Sequence, residues 1–375
     1  MHIVQVAQLV HETSGGLRTT VDRLGAGYAA AGHRRTLIVP GRADRDDTND
    51  HGRTITLRAP RVPGSGGYRV FPSLARVTAV LEALCPDVLE ISDKVSLWRL
   101  GSWARARGIS SVVVSHERLD AILAPRLPRG AQLGSWADRW NHRVLGQVNA
   151  AVAPSEFAAE ELRRVGSATP VHVVPWGVDL DTFHPTRRFA TDGATWRLHQ
   201  VPTLVYVGRL SKEKRPELVI DCARELQHRG VRVHTAIVGS GPDEAALERR
   251  AQGLDVRFHG FVRDRAKVAN LLAAADVALA PCPCETFGLA ALEALASGTP
   301  VVASASGALA EWITADAGRV VQGTPQAFAD GVQALLTQRD RVGEHMLRNH
   351  ARLVAERSPW ARTVRSMLEV HGAAA

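Results

Sequence analysis

Short apolar runs rich in β-branched residues alternate with stretches of helical periodicity along the whole chain. In the first half the apolar runs are HIVQVAQ (2–8), TLIVP (36–40), VLEIS (88–92), SVVVSH (111–116), AAVAPS (150–155) and VHVVP (171–175). Between them, 16–31, 74–84, 97–107, 135–149 and 156–165 carry the helical pattern, the last with Ser155 as N-cap and Glu156 in its first turn. This rhythm predicts parallel sheets with helices on both faces. It restarts after a polar stretch, Trp176–Arg188, that contains Gly177 and Pro185. The second set of strands reads TLVYVGR (203–209), VHTAIVG (233–239), VRFHG (256–260), VALAP (277–281) and PVVAS (300–304). Helices are expected over 214–228, 242–252, 263–274 and 287–296, with three more near the C-terminus. The fold class is therefore α/β, with two doubly wound units, 1–180 and 181–357. The charged stretch 42–52 and the Pro/Gly-rich stretch 59–67 read as loops.

Length agrees with this division: 375 residues at about 150 per domain suggest two domains. No apolar run is long enough to cross a bilayer, and the best candidate, 271–284, carries Asp276. The N-terminus MHIVQVAQLV reads as a first buried strand rather than a signal peptide. The scattered Cys85, Cys222, Cys282 and Cys284 form no disulfide framework and no zinc spacing, which suits a reducing cytosol. The net charge of +8 points to anionic partners, and it is carried almost wholly by arginine, the lysines being Lys94, Lys212, Lys214 and Lys267. With 5% aromatic residues and no recognised motif, nucleic acid is not an expected partner.

Open parallel sheets bind ligands at the carboxyl ends of their strands. Candidate chemistry falls there. After VALAP comes ETFGLAALE, with Glu285 in a loop and Glu293 on the helix that follows. Backbone N–H groups at Phe287, Gly288 and Leu289 would make an anion site, and a carboxylate suits vicinal hydroxyls. Spacing alone leaves this no better founded than a loop acid and a solvated helix acid. After TLVYVGR, Arg209 and Lys214 place two cations by one strand end, as a diphosphate would need. Gly15 and Gly16 precede a helix but form no dinucleotide fingerprint. His116 ends SVVVSH, where a lone histidine is more often a structural hydrogen-bonder, so a functional role rests on the company of the other candidates.

Taken in order, these segments resemble the family 4 retaining glycosyltransferases, whose GT-B fold sets two Rossmann-like domains across a cleft. ETFGLAALE resembles their Glu-x7-Glu signature. TSGGLRTTVDRLGAGYAAAGHRRTLIVP, VPWGVDLDTFHP, YVGRLSKEK, AIVGSGP, VRFHGFV and ALASGTPVVAS are similar to further family blocks, so the likeness covers nearly the whole chain. It implies a hexose transfer from a nucleotide-diphosphate sugar to a hydroxyl, with retention and without a metal or other cofactor. The donor leans to GDP-mannose over a UDP-sugar. Glu285 would hold the donor sugar and Glu293 the ribose. Arg209 and Lys214 would grip the diphosphate. Thr286, Phe287, Gly288 and Leu289 would line the sugar and phosphate, and Phe261 and Val262 the base. From the first domain, Gly15 and Gly16 would close over the diphosphate, and His116 would touch the sugar. The segment 358–372 would be a helix returning to the first domain, anchored by Trp360.

Two departures stand out: Arg215-Pro216 where the family often has Gly, and the PCPC loop before Glu285. The acceptor stays open between a lipid, a cyclitol and a natural-product glycoside. Arg58, Arg61, Arg69 and Arg76, near Tyr68 and Phe71, form either a solvated face or a peripheral contact with the inner face of a membrane. An epimerase or phosphorylase of the same fold and a non-catalytic sugar-nucleotide binder remain alternatives.

Overall fold

The computed structural model describes residues 1–10, 15–62, 67–123, 133–189 and 201–374. The chain divides into two compact units, Met1–Trp176 with Trp360–Ala375, and Gly177–Pro359.

The first unit holds β1 (His2–Val6), β2 (Arg34–Gly41), β3 (Arg45–Asn49), β4 (Gly52–Arg58), β5 (Val88–Ile91), β6 (Ser110–Val114), β7 (Ala150–Ala153) and β8 (Val171–Val173). They form one sheet in the order β3-β4-β2-β1-β5-β6-β7-β8. Every pairing is parallel except β3 with β4. Val4 lies opposite Thr36 on one side and Leu89 on the other, and β1, β5, β6 and β7 are buried throughout, as helix-covered strands must be. Ser155 does cap its helix, its Oγ accepting from Ala158 N at 3.1 Å.

The expected loop 42–52 is instead mostly strand β3 and the turn of a hairpin. Every β3 residue is exposed, so no apolar alternation betrays it. Cross-strand polar contacts hold it: Arg53 pairs with Asp46 at 2.6 Å, and Asn49 Oδ1 accepts from His51 N at 2.9 Å in the turn.

The second unit holds β9 (Thr203–Val207), β10 (His234–Val238), β11 (Val256–Phe258), β12 (Val277–Ala280), β13 (Val301–Ser304) and β14 (Gly318–Val321). The order is β11-β10-β9-β12-β13-β14, all parallel. The short edge strand β14 was not among the expected strands. In both units the chain winds outward one way from its first strand and then returns to wind the other way. The reversal falls between β1 and β5 in the first unit and between β9 and β12 in the second, and at such points loops part to leave a crevice.

The last helix, Trp360–Ala374, packs within the first unit. Trp360 is only half-buried at its first turn. The hold comes from Val364, Met367 and His371, with Thr363 Oγ1 donating to Pro175 O at 2.8 Å. Gly27 on the helix Gly16–Ala30 makes room, because a Cβ there would meet Val364 Cγ2 at 2.2 Å. Beneath this contact lies a fully buried polar set. Glu90 accepts from Tyr28 Oη at 2.9 Å and Gln5 Nε2 at 2.8 Å, and its Oε2 lies 3.3 Å from His371 Nε2.

Candidate functional site

In the second unit the loops after β9, β10 and β11 are hydrogen-bonded into one shelf. Leu210 N donates to Ser240 O at 3.1 Å, and Gly239 N to Gly260 O at 2.8 Å. Gly239 has φ 142° and its Cβ position lies 1.9 Å from Gly208 O, so only glycine allows this approach. Arg209 stands exposed on the shelf, its carbonyl accepting from Tyr206 Oη at 2.9 Å. Phe261, 40% exposed, and Val262 follow β11 on the same shelf.

The expected helix 214–228 divides in two. Lys212–Lys214 forms one 3-10 turn, Arg215 takes φ 51°, and the α-helix begins only at Glu217 behind Pro216. The left-handed step explains why glycine would suit position 215. Arg215 accepts the strain while its guanidinium bonds Gly323 O at 3.0 Å. The step leaves Lys214 at the end of a turn, reaching toward β12.

Across the reversal point Glu285 receives it: Lys214 Nζ lies 2.8 Å from Glu285 Oε2. The two sequence candidates thus meet where the topology opens a crevice. Burial alone would pull the Lys214 ammonium down. The Glu285 carboxylate more than reverses that and holds it well above the ordinary lysine value, so Lys214 stays charged. The Glu285 loop is braced from the 3-10 turn Ala308–Glu311 that follows β13, Ala308 N donating to Glu285 O at 2.8 Å. The expected helix 287–296 starts two residues late, at Leu289. Gly288 sits before it at φ 89°, with Leu309 Cδ2 2.3 Å from its Cβ position. Phe287 is buried beside Trp312, ring centroids 6.0 Å apart. The first N–H groups of this helix, at Leu289–Ala291, have no acceptor within it and form its positive end. Thr286 lies between Glu285 and Phe287 in the same loop.

Glu293 is the fifth residue of that helix, one turn in, and is ion-paired with Arg265. No sequence signal marked Arg265 as part of the site. Its guanidinium also lies 4.9 Å from the Phe183 ring centroid.

Gly15, Gly16 and His116 belong to the first unit. Gly15 precedes the helix Gly16–Ala30, and His11–Ser14 before it fall outside the described residues. His116 lies two residues past β6, its ring stacked on Trp176 with centroids 5.7 Å apart. Trp176, read from sequence only as part of the domain join, is thus the surface His116 rests on. Burial pulls His116 down to about 4, and burial with nearby Arg257 does the same to His259 in the second unit. Unfolded histidine takes up its proton near pH 6.5, roughly two units higher. Between those values the unfolded chain binds more protons, so stability is full above that window and falls as pH drops through it. Urea midpoints are therefore expected to be lower at pH 5 than at pH 7.5; equal midpoints would mean both imidazoles titrate normally.

The PCPC loop brings Cys282 and Cys284 Sγ atoms within 3.6 Å as free thiols. Of the four arginines, Arg76 is paired with Asp44 at 2.9 Å, which offsets its charge, while the part-buried Arg69 is turned onto Ala59 O. Among the described residues no group of three or more His, Cys, Asp or Glu could hold a metal ion, and no helix is long and apolar enough to cross a membrane.

The chain is similar to known proteins along its length. Residues 14–182 match the family model described as Glycosyltransferase Family 4, and residues 201–338 the one described as Glycosyl transferases group 1. The GDP-mannose-dependent alpha-(1-6)-phosphatidylinositol dimannoside mannosyltransferase of Mycobacterium tuberculosis (strain ATCC 25177 / H37Ra) is 47% identical, over 100% of this chain and 97% of that protein. A GDP-mannose-dependent alpha-mannosyltransferase of Corynebacterium glutamicum is 28% identical over 82% of this chain and 73% of its own. The sucrose-phosphate synthase of Thermosynechococcus elongatus shares the fold, with TM-score 0.80 over 99% of this chain and 98% of that one, at 23% identity. With its two Rossmann-like units and the Lys214–Glu285 pair at a strand-order reversal, the chain belongs to the family 4 glycosyltransferases of GT-B fold.

Proposed function

We propose that this glycosyltransferase moves mannose from GDP-mannose to a hydroxyl of a mannosylated inositol lipid, with retention and without a divalent metal. The observation that carries the donor half is the Lys214–Glu285 pair, a cation and a carboxylate joined at 2.8 Å across the β9/β12 crevice. The substrates are supported by the Mycobacterium tuberculosis relative, whose name pairs GDP-mannose with phosphatidylinositol dimannoside. Arg209 would fork the diphosphate and Lys214 would meet its oxygens as a compact charge. The Leu289–Ala291 N–H groups would add the helix dipole. These charges oppose the negative charge that grows on the leaving phosphate, where each fixed donor is worth about 3–4 kcal/mol in the transition state. A divalent ion would supply the same stabilisation, which is why none is required in this reading.

Glu285 would accept from the sugar hydroxyls and Glu293 from the ribose. Phe261 and Val262 would flank the base. Gly15 and Gly16 would approach the diphosphate. His116, neutral at physiological pH, would serve the sugar as a hydrogen-bond partner rather than a cation. In the transfer, the bond from the anomeric carbon to the phosphate oxygen breaks while the acceptor oxygen bonds the same face. The acceptor proton passes to the departing phosphate oxygen. A lipid-borne acceptor also favours peripheral contact with a membrane from the cytoplasmic side, with the exposed Arg58 and Arg61 as cations that would meet its anionic headgroups.

The purified enzyme, given GDP-mannose and phosphatidylinositol dimannoside in vesicles, is expected to form an α-linked mannoside visible by NMR, at a rate unchanged by EDTA. A β-linked product would end the retaining claim, and loss of turnover in EDTA the metal-free one. Turnover with UDP-glucose alone would replace the donor. Conversion of donor without acceptor would indicate an epimerase instead.

A further inference from the structure

We infer that Arg265 is a positioning residue for Glu293, aiming its carboxylate at the ribose diol of the donor nucleotide. This rests on the donor reading of Glu293 given above. The Glu293 side chain is 8% exposed, and Arg265, 43% exposed, meets its Oε1 through Nη2. A carboxylate with so little access to water holds its acceptor form and its direction only if charge and hydrogen bonds compensate it. Arg265 supplies both from a neighbouring element, the helix Arg265–Ala274 that follows β11.

Helix electrostatics do not explain the arginine. It is the first helical residue, at the end of the dipole that disfavours cations. That turn is already capped by Asp264, whose Oδ1 accepts from Ala266 N at 2.9 Å. What keeps the guanidinium in place is Phe183, itself 2% exposed, with its ring centroid 4.9 Å from Arg265 Cζ. A buried ring on one side and a nearly buried carboxylate on the other bracket the guanidinium. A carboxylate oxygen offers more than one lone pair, so Oε1 can take Arg265 and still accept a hydroxyl.

The readout that separates aim from general stability is discrimination of the ribose hydroxyls. Calorimetry with GDP and with 2′,3′-dideoxy-GDP should give the intact enzyme a preference for GDP of about 10- to 100-fold. Glu293→Gln should abolish most of it. Arg265→Ala should bring the ratio within about threefold of Glu293→Gln while leaving the dideoxy affinity unchanged, and Arg265→Lys should restore part of it. An Arg265→Ala enzyme with the full preference would overturn the inference. So would tighter GDP binding, which would make Arg265 a competitor of the ribose, or an equal loss for both nucleotides, which would mean general damage. No preference in the intact enzyme would remove the ribose role of Glu293 itself, and a normal collapse in Glu293→Gln keeps that failure distinguishable.

Discussion

Lys214→Ala is expected to lower turnover by about 100-fold or more, the range for loss of one fixed donor to a developing anion. Lys214 qualifies as such a donor for three physical reasons. Its neighbour Glu285 keeps it charged despite burial. The 3-10 turn and the left-handed Arg215 fix where it stands. The β9/β12 reversal places it at a crevice rather than on a helix surface. Its removal also strips Glu285 of its partner, so a carboxylate would face an incoming diphosphate without compensation. Because charge grows on the leaving group during reaction, the loss should fall mainly on kcat, with a smaller change in KM. Arg209→Ala should act in the same direction. Steady-state kinetics within about threefold of the intact enzyme for both variants would sink the diphosphate clamp.

The largest expected loss of stability comes from Glu90→Ala, about 3–5 kcal/mol in the first unit, since it strips a buried acceptor from Gln5 and Tyr28 at about 1–3 kcal/mol for each buried group left unsatisfied. Glu90 is fully buried on β5 and ties together Tyr28, Gln5 and His371, from a helix, the adjacent strand and the last helix. Burial alone would raise its carboxyl; His371, Gln5 and Tyr28 together hold it below the ordinary value, as expected of an anion with real partners. Removing it takes the acceptor from Gln5 Nε2, leaves Tyr28 Oη facing only the His371 ring at 3.3 Å, and weakens the seam that holds the returning helix. Urea unfolding can be followed by tryptophan emission, since six of the eight tryptophans, Trp98, Trp103, Trp136, Trp140, Trp176 and Trp360, are in the first unit. A loss under about 1 kcal/mol would mean that apolar contacts at Val364 and Met367 hold the helix without Glu90.

The alternation of apolar runs and helical stretches made most of both sheets legible, because a strand covered on two faces must be apolar throughout. Strand β3 escaped because all of its side chains are exposed; its hold lies in the backbone pairing with β4 and the Arg53–Asp46 ion pair, which leave no apolar trace. The helix starts near Lys214 and Gly288 were misplaced for a different reason. Both are set by single left-handed residues, Arg215 and Gly288, and a periodicity runs smoothly through a residue whose φ has changed sign. Arg215 is the harder of the two, since nothing in an arginine announces positive φ.

The residue types and spacing of this chain determined its α/β class, its two winding units, and the candidates Arg209, Lys214, Glu285 and Glu293, because strand ends and their polar punctuation are local properties. Tertiary structure alone decided which of these meet. Lys214 and Glu285 are 71 positions apart and pair only because β9 and β12 are neighbours at the reversal. Glu293 finds Arg265, and Arg265 finds Phe183, only because separate elements converge. Strand order is a long-range choice, settled by how whole layers pack, and a pairing that depends on it cannot be read from either segment alone.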